Sequence, residues 1–415
     1  MAGSSGAQPV PAPPPPPRVI LGVAGGIAAY KACELLRLFT ESGHEVRVVP
    51  TAAALRFVGA PTWAALSGQP VADDVWAQAH EVPHVRLGRR AGLVVVAPAT
   101  ADLLARAAHG RADDLLTATL LTVRCPVLYA PAMHTEMWEH PATVANVATL
   151  RSRGATVIEP AVGRLTGTDT GRGRLPEPAE IFALARSLHR RGGAPPDLAG
   201  RRVVVTAGGT REPLDPVRYL GNRSSGKQGY AFARTALARG ATVTVIAANV
   251  ALSDPAGATV LRVGTTEELY AATMAAATGA DVVVMAAAPA DFRPVRYQSA
   301  KIKKSDGGAP TIELTTTEDI AAALGAARTP GQVLVAFAAE THDALANGAA
   351  KLARKKADLI VVNEVGPDLA FGTDVNAATV LGADGSVTPI PTRGKEALAD
   401  AVWDLVRARL PRSGD

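Results

Sequence analysis

Apolar residues in this chain come as short unbroken runs, separated by glycine turns and by longer stretches of helical periodicity. Val19–Val23 leads into Ala24-Gly25-Gly26, and a helical pattern follows from Ile27 to about Glu41. Gly43 closes it, and Val46–Val49 reads as the next strand, giving a strand–turn–helix–strand unit. Leu93–Ala97 and Val127–Ala130 repeat the theme, with helical pattern at about 99–108 and 112–123. Runs that are apolar at every position predict strands covered on both faces of a parallel sheet. Between Arg186 and Gly200 the sequence RSLHRRGGAPPDLAG breaks the pattern and reads as a linker. The theme then restarts. Arg202–Thr206 is a strand, Ala207–Thr210 a glycine turn, Gly229–Arg239 a helix and Val243–Ile246 a strand. Further runs lie at Val282–Met285, Val333–Phe337 and Leu359–Val362. The prediction is an α/β chain of two Rossmann-like domains, 18–190 and 201–415, joined by 191–200.

Composition narrows the function classes. The chain has 415 residues, enough for two domains, and its 43 basic against 38 acidic residues leave a net charge of +5. That excess is too thin to imply a nucleic-acid partner. Two cysteines, Cys33 and Cys125, cannot build a disulfide framework or a zinc site, which suits a reducing cytoplasm. No apolar run approaches the roughly 18 residues of a membrane span. The start, MAGSSGAQPVPAPPPPPR, lacks the basic and apolar regions of a secretory leader. Pro13–Pro17 predicts an extended, coreless tail over residues 1–17.

In the first half, Gly22-Val23-Ala24-Gly25-Gly26-Ile27 sits where a strand meets a helix. Such a loop admits a phosphate, because glycine lets the backbone approach and the helix start presents N–H groups; a tight turn that needs only glycine is the plainer reading. It is not G-x-G-x-x-G, and Val48-Val49-Pro50-Thr51 offers no acidic ribose partner, which disfavours NAD and suits a mononucleotide. Ala97-Pro98-Ala99-Thr100-Ala101-Asp102 and Pro131-Ala132-Met133-His134 through Trp138 follow two strands at their carboxyl ends, where ligands of open parallel sheets lie. For Met133 and Trp138, ordinary core packing is the competing reading. His84 is a candidate base among these loops.

Together these segments resemble the flavin-dependent cysteine decarboxylases, over about residues 18–180. The resemblance implies a flavodoxin-like flavoprotein domain that binds FMN at subunit contacts through Gly25, Gly26, Ile27, Thr51, Pro98, Ala99 and Thr100. It implies His84 as catalytic base, with Met133, His134, Gly171, Arg172, Gly173 and Arg174 on the substrate. In this family the flavin oxidises the cysteine thiol to a thioaldehyde, which accepts the electrons of decarboxylation before the flavin returns a hydride. The chain departs from the pattern twice. His134 stands where the family has Asn, and Gly167 falls where a mobile flap carries a proton-donating Cys. A relict flavin-binding domain beside an active ligase is the alternative those departures raise.

In the second half, Gly221-Asn222-Arg223-Ser224-Ser225-Gly226-Lys227 imitates a P-loop, but Gln228 replaces the magnesium-binding hydroxyl and the strand ends too early. The segment can still cradle an anion. Ala290-Asp291-Phe292-Arg293, Lys301–Lys304, Phe337–Thr341 and Val362–Val365 follow. Lys351 and Lys355, four apart on a helix together with Arg354 and Lys356, share a face. These motifs are similar to the phosphopantothenate–cysteine ligases. That implies a nucleotide-binding ligase domain using CTP and Mg²⁺. Asn222 would contact the acyl intermediate and Lys301 would be the catalytic lysine. Asp291, Lys301, Asp319, Ile320, Phe337, Lys351 and Lys355 would lie on CTP. No carboxylate cage for a metal is visible, which fits an ion carried by phosphates and water.

The combined reading is a fused enzyme of coenzyme A biosynthesis. One half ligates 4′-phosphopantothenate to L-cysteine through an acyl-cytidylate; the other decarboxylates the product to 4′-phosphopantetheine. The resemblance further implies a homo-oligomer, with dimeric ligase and trimeric decarboxylase domains, up to a dodecamer. No nucleic-acid or membrane partner is expected.

Overall fold

The structure, a computed structural model, describes residues 18–71, 82–165, 168–303, 311–340, 342–364 and 374–411. The proline tail, Gly167, Lys304, Thr341 and Val365 lie outside them. Contacts divide the chain into two units: one up to Val157 together with Val162–Phe182, the other Ile158–Ala161 together with everything from Ala183.

The first unit runs β1 (Arg18–Val23), α1 (Ala29–Glu41), β2 (Glu45–Pro50), α2 (Ala60–Ser67), α3 (Pro83–Arg90), β3 (Leu93–Ala99), α4 (Ala101–Ala108), α5 (Leu115–Leu120), β4 (Val127–Pro131), α6 (Thr135–Glu139), α7 (Pro141–Ser152) and β5 (Thr156–Val157). A hairpin of β6 (Ala161–Arg164) and β7 (Thr170–Arg174) follows, then α8 (Pro178–Arg190), which passes into the second unit. The sheet order is β2-β1-β3-β4-β5, all parallel, the doubly wound flavodoxin-like arrangement. α1 forms because its apolar side chains recur at helical spacing: Ala29, Ala32, Leu35, Leu36 and Phe39 are buried. Trp138 is 8% exposed within the core, so for it ordinary packing is the outcome; Met133 packs against the same cluster.

The second unit runs β8 (Arg202–Gly208), β9 (Arg211–Pro213), β10 (Tyr219–Gly221), α9 (Lys227–Ala238), β11 (Thr242–Ala248), β12 (Thr259–Val263), α10 (Thr266–Ala277), β13 (Val282–Met285), β14 (Phe292–Pro294), β15 (Leu314–Thr316), α11 (Ile320–Ala327), β16 (Val333–Glu340), α12 (Ala344–Lys355), β17 (Leu359–Glu364), β18 (Val375–Gly382), β19 (Val387–Gly394) and α13 (Lys395–Arg407). Its main sheet is ordered β12-β11-β8-β13-β16-β17-β18-β19. The first six are parallel and, renumbered among themselves, read 3-2-1-4-5-6, the Rossmann order, so the strand order reverses between β8 and β13. β18 and β19 extend the sheet antiparallel. Lys356 does not continue α12 as the sequence pattern had it; it caps the helix in the left-handed region at φ 48°.

The stretch 191–200, read from composition as a linker, is packed. Leu198 is fully buried in the second unit's core, and Asp197 takes two hydrogen bonds from Arg239, at 2.9 and 2.7 Å. Nearby, one carboxylate oxygen of Asp400 on α13 is buried without a hydrogen-bond partner, and the other lies 3.5 Å from Arg190. Burial pushes this carboxyl up to about 6, against the pull of Arg190, Arg239 and Arg191. A carboxyl raised in the folded state binds its proton more tightly there than in the unfolded chain. The cost it imposes is therefore absent below pH about 4 and grows as pH rises through about 6. Asp400→Asn is expected to stabilise the protein at pH 8 by about 1–2 kcal/mol and to leave it nearly unchanged at pH about 3. Thermal unfolding at the two pH values checks this; an equal shift at both would refute it.

Candidate active sites

In the first unit the candidate loops converge because the carboxyl ends of neighbouring strands are tied together. Ala24 N–H donates to Pro98 O at 3.1 Å, Thr51 N–H to Val23 O at 2.9 Å, and Ala132 N–H to Ala99 O at 3.1 Å. Thr51, 6% exposed, accepts on its hydroxyl from Ala54 N–H at 3.2 Å. Thr100 caps α4 by accepting from Leu103 N–H at 3.3 Å. The Gly25 turn packs on this support: a Cβ at Gly25 would lie 2.3 Å from Ala53 Cβ. At Gly26 the nearest atom to a Cβ would be Thr100 Cγ2 at 3.6 Å, an ordinary van der Waals contact, so this turn is less crowded than at Gly25. Ile27 is 73% and Tyr30 60% exposed.

His84 lies in the first turn of α3, a helix that the sequence pattern did not show. Its backbone oxygen accepts from Thr122 Oγ1 at 2.9 Å, which anchors the turn against the end of α5. Its Nδ1 is buried and meets no hydrogen-bond partner among the described residues. A buried ring nitrogen without a partner is the kind of vacancy a ligand group fills.

β7 clamps the loop after β4. Met133 N–H donates to Gly173 O at 2.9 Å. A Cβ at Gly173 would sit 2.0 Å from Met133 O, and one at Gly171 would sit 2.2 Å from Thr135 Oγ1. The contact therefore needs glycine at both places. Met133, His134, Gly171 and Gly173 come together in this way, with His134 exposed at the start of α6 and Arg172 exposed on β7. Arg174 pairs with Glu177, which also meets Lys31 at 3.4 Å.

In the second unit a cavity of about 560 Å³ opens at the carboxyl ends of β13, β16 and β17, beside the start of α9. This is the crevice where α/β sheets with a reversed strand order bind ligands. Asn222, Asp291, Asp319, Ile320, Phe337, Lys351 and Lys355 line it. One wall, 286–291, is held from both sides. Ala288 N–H donates to Gly208 O at 2.8 Å, Ala287 N–H to Thr206 Oγ1 at 3.0 Å, and Ala290 N–H to Thr210 Oγ1 at 2.8 Å. Asn222 Nδ2 donates to Pro289 O at 2.8 Å. Gly208, at φ +85°, lets this wall form, since a Cβ there would lie 2.0 Å from Ala248 O.

Phe337 packs edge-on against Phe232 at 5.6 Å between centroids. Asp319 caps α11 and meets Lys355 Nζ at 2.7 Å. Burial raises its carboxyl, but Lys355 and the Ala322 N–H outweigh that and hold it below the ordinary range. Lys301 is the candidate that the cavity walls do not include. It is exposed, on a loop pinned by Ile302 N–H to Asp215 Oδ2 (3.1 Å) and by Arg218 Nη1 to Ile302 O (3.0 Å). Gln228, Asn363, Asn376 and Lys395 are among the wall residues that escaped the sequence reading as ligand groups. Gln228 and Asn363 stand in motifs that were noted. Asn376 and Lys395 come from the antiparallel extension and leave no local signal. Among the described residues, no group of three or more His, Cys, Asp or Glu could hold a metal, and no helix is long and apolar enough to cross a membrane.

The profile of the flavoprotein family matches residues 9–189, and that of the DNA/pantothenate metabolism flavoprotein C-terminal domain matches 198–410. The coenzyme A biosynthesis bifunctional protein CoaBC of Mycobacterium bovis is 60% identical over 400 residues, covering 94% of this chain and 96% of that protein. The chain belongs to the CoaBC family. The Vibrio cholerae member is 41% identical over 397 residues, 95% of this chain and 98% of that one. As a CoaBC protein, the chain is a bifunctional enzyme of coenzyme A biosynthesis, a decarboxylase in its flavoprotein domain and a phosphopantothenate–cysteine ligase in its C-terminal domain. Among solved structures, the C-terminal domain of a CoaBC protein is 33% identical, covering 51% of this chain and 96% of that one, with a TM-score of 0.44. The FMN-dependent cysteine decarboxylase SpaF is 33% identical over 43% of this chain and 97% of its own, with a TM-score of 0.37.

Proposed function

We propose that the second unit joins 4′-phosphopantothenate to L-cysteine at the expense of CTP, and that the first unit, with FMN, decarboxylates the product to 4′-phosphopantetheine. The observation that carries the ligase half is the cavity at the Rossmann switch point, lined by seven of the eight residues assigned to nucleotide and acyl intermediate. The carboxylate of 4′-phosphopantothenate attacks the α-phosphorus of CTP and releases pyrophosphate. Cysteine's amine then displaces CMP from the acyl-cytidylate. Asn222, oriented by Pro289 O, holds the acyl group. Phe337 and Ile320 give the nucleotide an apolar seat, while Lys351 and Lys355 supply positive charge. Mg²⁺ is read as carried by the triphosphate, because no protein cage for it exists among the described residues.

In the first unit the fit to FMN rests on the uncrowded Gly26 turn beside Thr100 and the buried Nδ1 of His84, unpartnered among the described residues. Gly25, Gly26 and Ile27 would hold the phosphate, with Thr51, Pro98, Ala99 and Thr100 beside the flavin. FMN supplies the electron transfer that turns the cysteine side chain into an electron sink. His84 serves as the proton acceptor near the substrate, and the loop clamped by Gly173 presents Met133 and His134 to it. The exposed Ile27 and Tyr30 are apolar surface of the kind an oligomer covers, and the free Cys33 and Cys125 suit the cytoplasm.

The test is to supply the purified chain with 4′-phosphopantothenate, cysteine and CTP, and to follow pyrophosphate and CO₂. Both should appear, CO₂ only in a yellow, FMN-containing preparation. Absence of pyrophosphate would overturn the ligase reading, and ligation without CO₂ would overturn the decarboxylase reading. Lys301→Gln is expected to lower pyrophosphate release about a hundredfold or more, while CO₂ release from supplied phosphopantothenoylcysteine is unchanged. Normal turnover of that variant would remove Lys301 from the site.

A further inference from the structure

Two groups of cationic side chains line the nucleotide cavity. In one, Lys351 Nζ lies 2.7 Å from Glu340 Oε1, and Lys355 Nζ lies 2.7 Å from Asp319, which Arg354 also approaches at 4.0 Å. Those charges already face carboxylates. In the other, Lys395 begins α13 and is only 8% exposed, a degree of burial that is rare for lysine. Lys227 begins α9 beside it and meets Asp374 at 2.7 Å. Burial and the neighbouring Lys227 charge push the Lys395 ammonium below the usual lysine range. Gln228 Oε1 and Asn363 Oδ1, on the same walls, are buried with no hydrogen-bond partner. The Asn363 amide can turn to present its N–H₂ to an anion, while Gln228 Nε2 already donates to Lys395 O at 3.3 Å. Gly226, at φ +79°, opens the twelve-residue α9 towards the cavity.

We propose that Lys395 is a polyphosphate-binding residue of the ligase site: with Lys227 it holds the β- and γ-phosphates of the nucleotide and then the departing pyrophosphate. The inference rests on the reading of this cavity as a nucleoside triphosphate site. In the first half-reaction a carboxylate oxygen bonds to the α-phosphorus. The bond from that phosphorus to the α,β-bridging oxygen breaks, and pyrophosphate leaves with the electron pair. The Lys395 ammonium stays protonated throughout and faces the charge that collects on the leaving group.

The experiment measures binding of CTP and of CMP to the full chain by calorimetry in the presence of Mg²⁺. Lys395→Gln is expected to weaken CTP about tenfold or more while leaving CMP within about twofold, and Lys395→Arg to recover part of the loss. A lysine that is only a strut, through its 3.5 Å contact with Val375 O, would change CTP and CMP together or neither, and either result overturns the proposal. Gln228→Glu places a carboxylate at the same pole in a side chain of the same shape, and the same CTP-selective loss is expected. It decides the matter if Lys395→Gln does not fold. Wild-type protein that ignores CTP but takes another nucleoside triphosphate overturns the CTP reading alone; the Lys395 comparison is then made with that triphosphate and its monophosphate. Wild-type protein that takes no triphosphate overturns both.

Discussion

His84→Asn should reduce CO₂ release from 4′-phosphopantothenoylcysteine by about 10²–10⁴-fold, the range set by losing a positioned proton acceptor. The ring is held from its backbone: Pro83 starts α3, Thr122 Oγ1 donates to His84 O at 2.9 Å, and Gly88 packs so closely that a Cβ there would lie 2.0 Å from Thr122 Oγ1. Asparagine keeps the turn and a polar atom near the Nδ1 position, but it cannot take up a proton near neutral pH. The fold should therefore survive and the chemistry should not. FMN content should remain normal, because none of the residues assigned to the phosphate is altered. Pyrophosphate release should also be unchanged, because the ligase residues belong to the other unit. Retained decarboxylation would take His84 out of the reaction. Loss of both activities would defeat the assignment of the two reactions to separate units.

Arg239→Met should cost the second unit about 3 kcal/mol, the largest stability effect expected of a single substitution here. The guanidinium is 2% exposed at the end of α9 and spends its donors on three neighbours. Asp197 takes two of them, Asp404 lies 2.5 Å away, and Asp400 O accepts at 2.9 Å. Methionine fills the space but leaves Asp197, 28% exposed, with Arg191 at 3.1 Å as its remaining charge partner, and the Asp400 carbonyl without its donor. Solvent reaches Asp404, 71% exposed, which keeps the cost at the lower end of the range for breaking a buried ion pair. Hydrogen exchange at the slowest amides of β8 and α9 reports on this unit alone. About 3 kcal/mol corresponds to exchange faster by roughly a hundredfold. A change of less than about fivefold would show that Arg191 and water already satisfy Asp197, and water Asp404.

Much of the layout of the candidate sites was legible in the chain because strand ends carry it. Gly25–Ile27, Pro98–Thr100 and Met133–His134 each follow a continuous apolar run, and parallel order brings those ends to one edge. Asp291 and Phe337 were legible for the same reason, and Asn222 from the glycine- and serine-rich loop that precedes α9. Lys395 and Asn376 were not. They reach the cavity only because β18 and β19 add antiparallel strands beyond the Rossmann core, and Gln228 Nε2 meets Lys395 O at 3.3 Å across 167 positions of sequence. The helix under His84 was missed because PHVRLGRR has little apolar periodicity; proline at its start and the Thr122 contact hold it instead.

Local sequence was sufficient for what depends on neighbours along the chain: strand runs, glycine turns, helix lengths and the loops that carry the chemistry. Periodicity and backbone freedom act over a few residues, so they can be read from a few residues. Strand order, the docking of residues 191–200 against Arg239, the close approach of Gly173 to Met133 and the burial of Lys395 were decided by the tertiary structure. Each depends on which distant surfaces exclude water together, and on the charges and hydrogen-bonding groups stranded between them, which no short window of sequence contains.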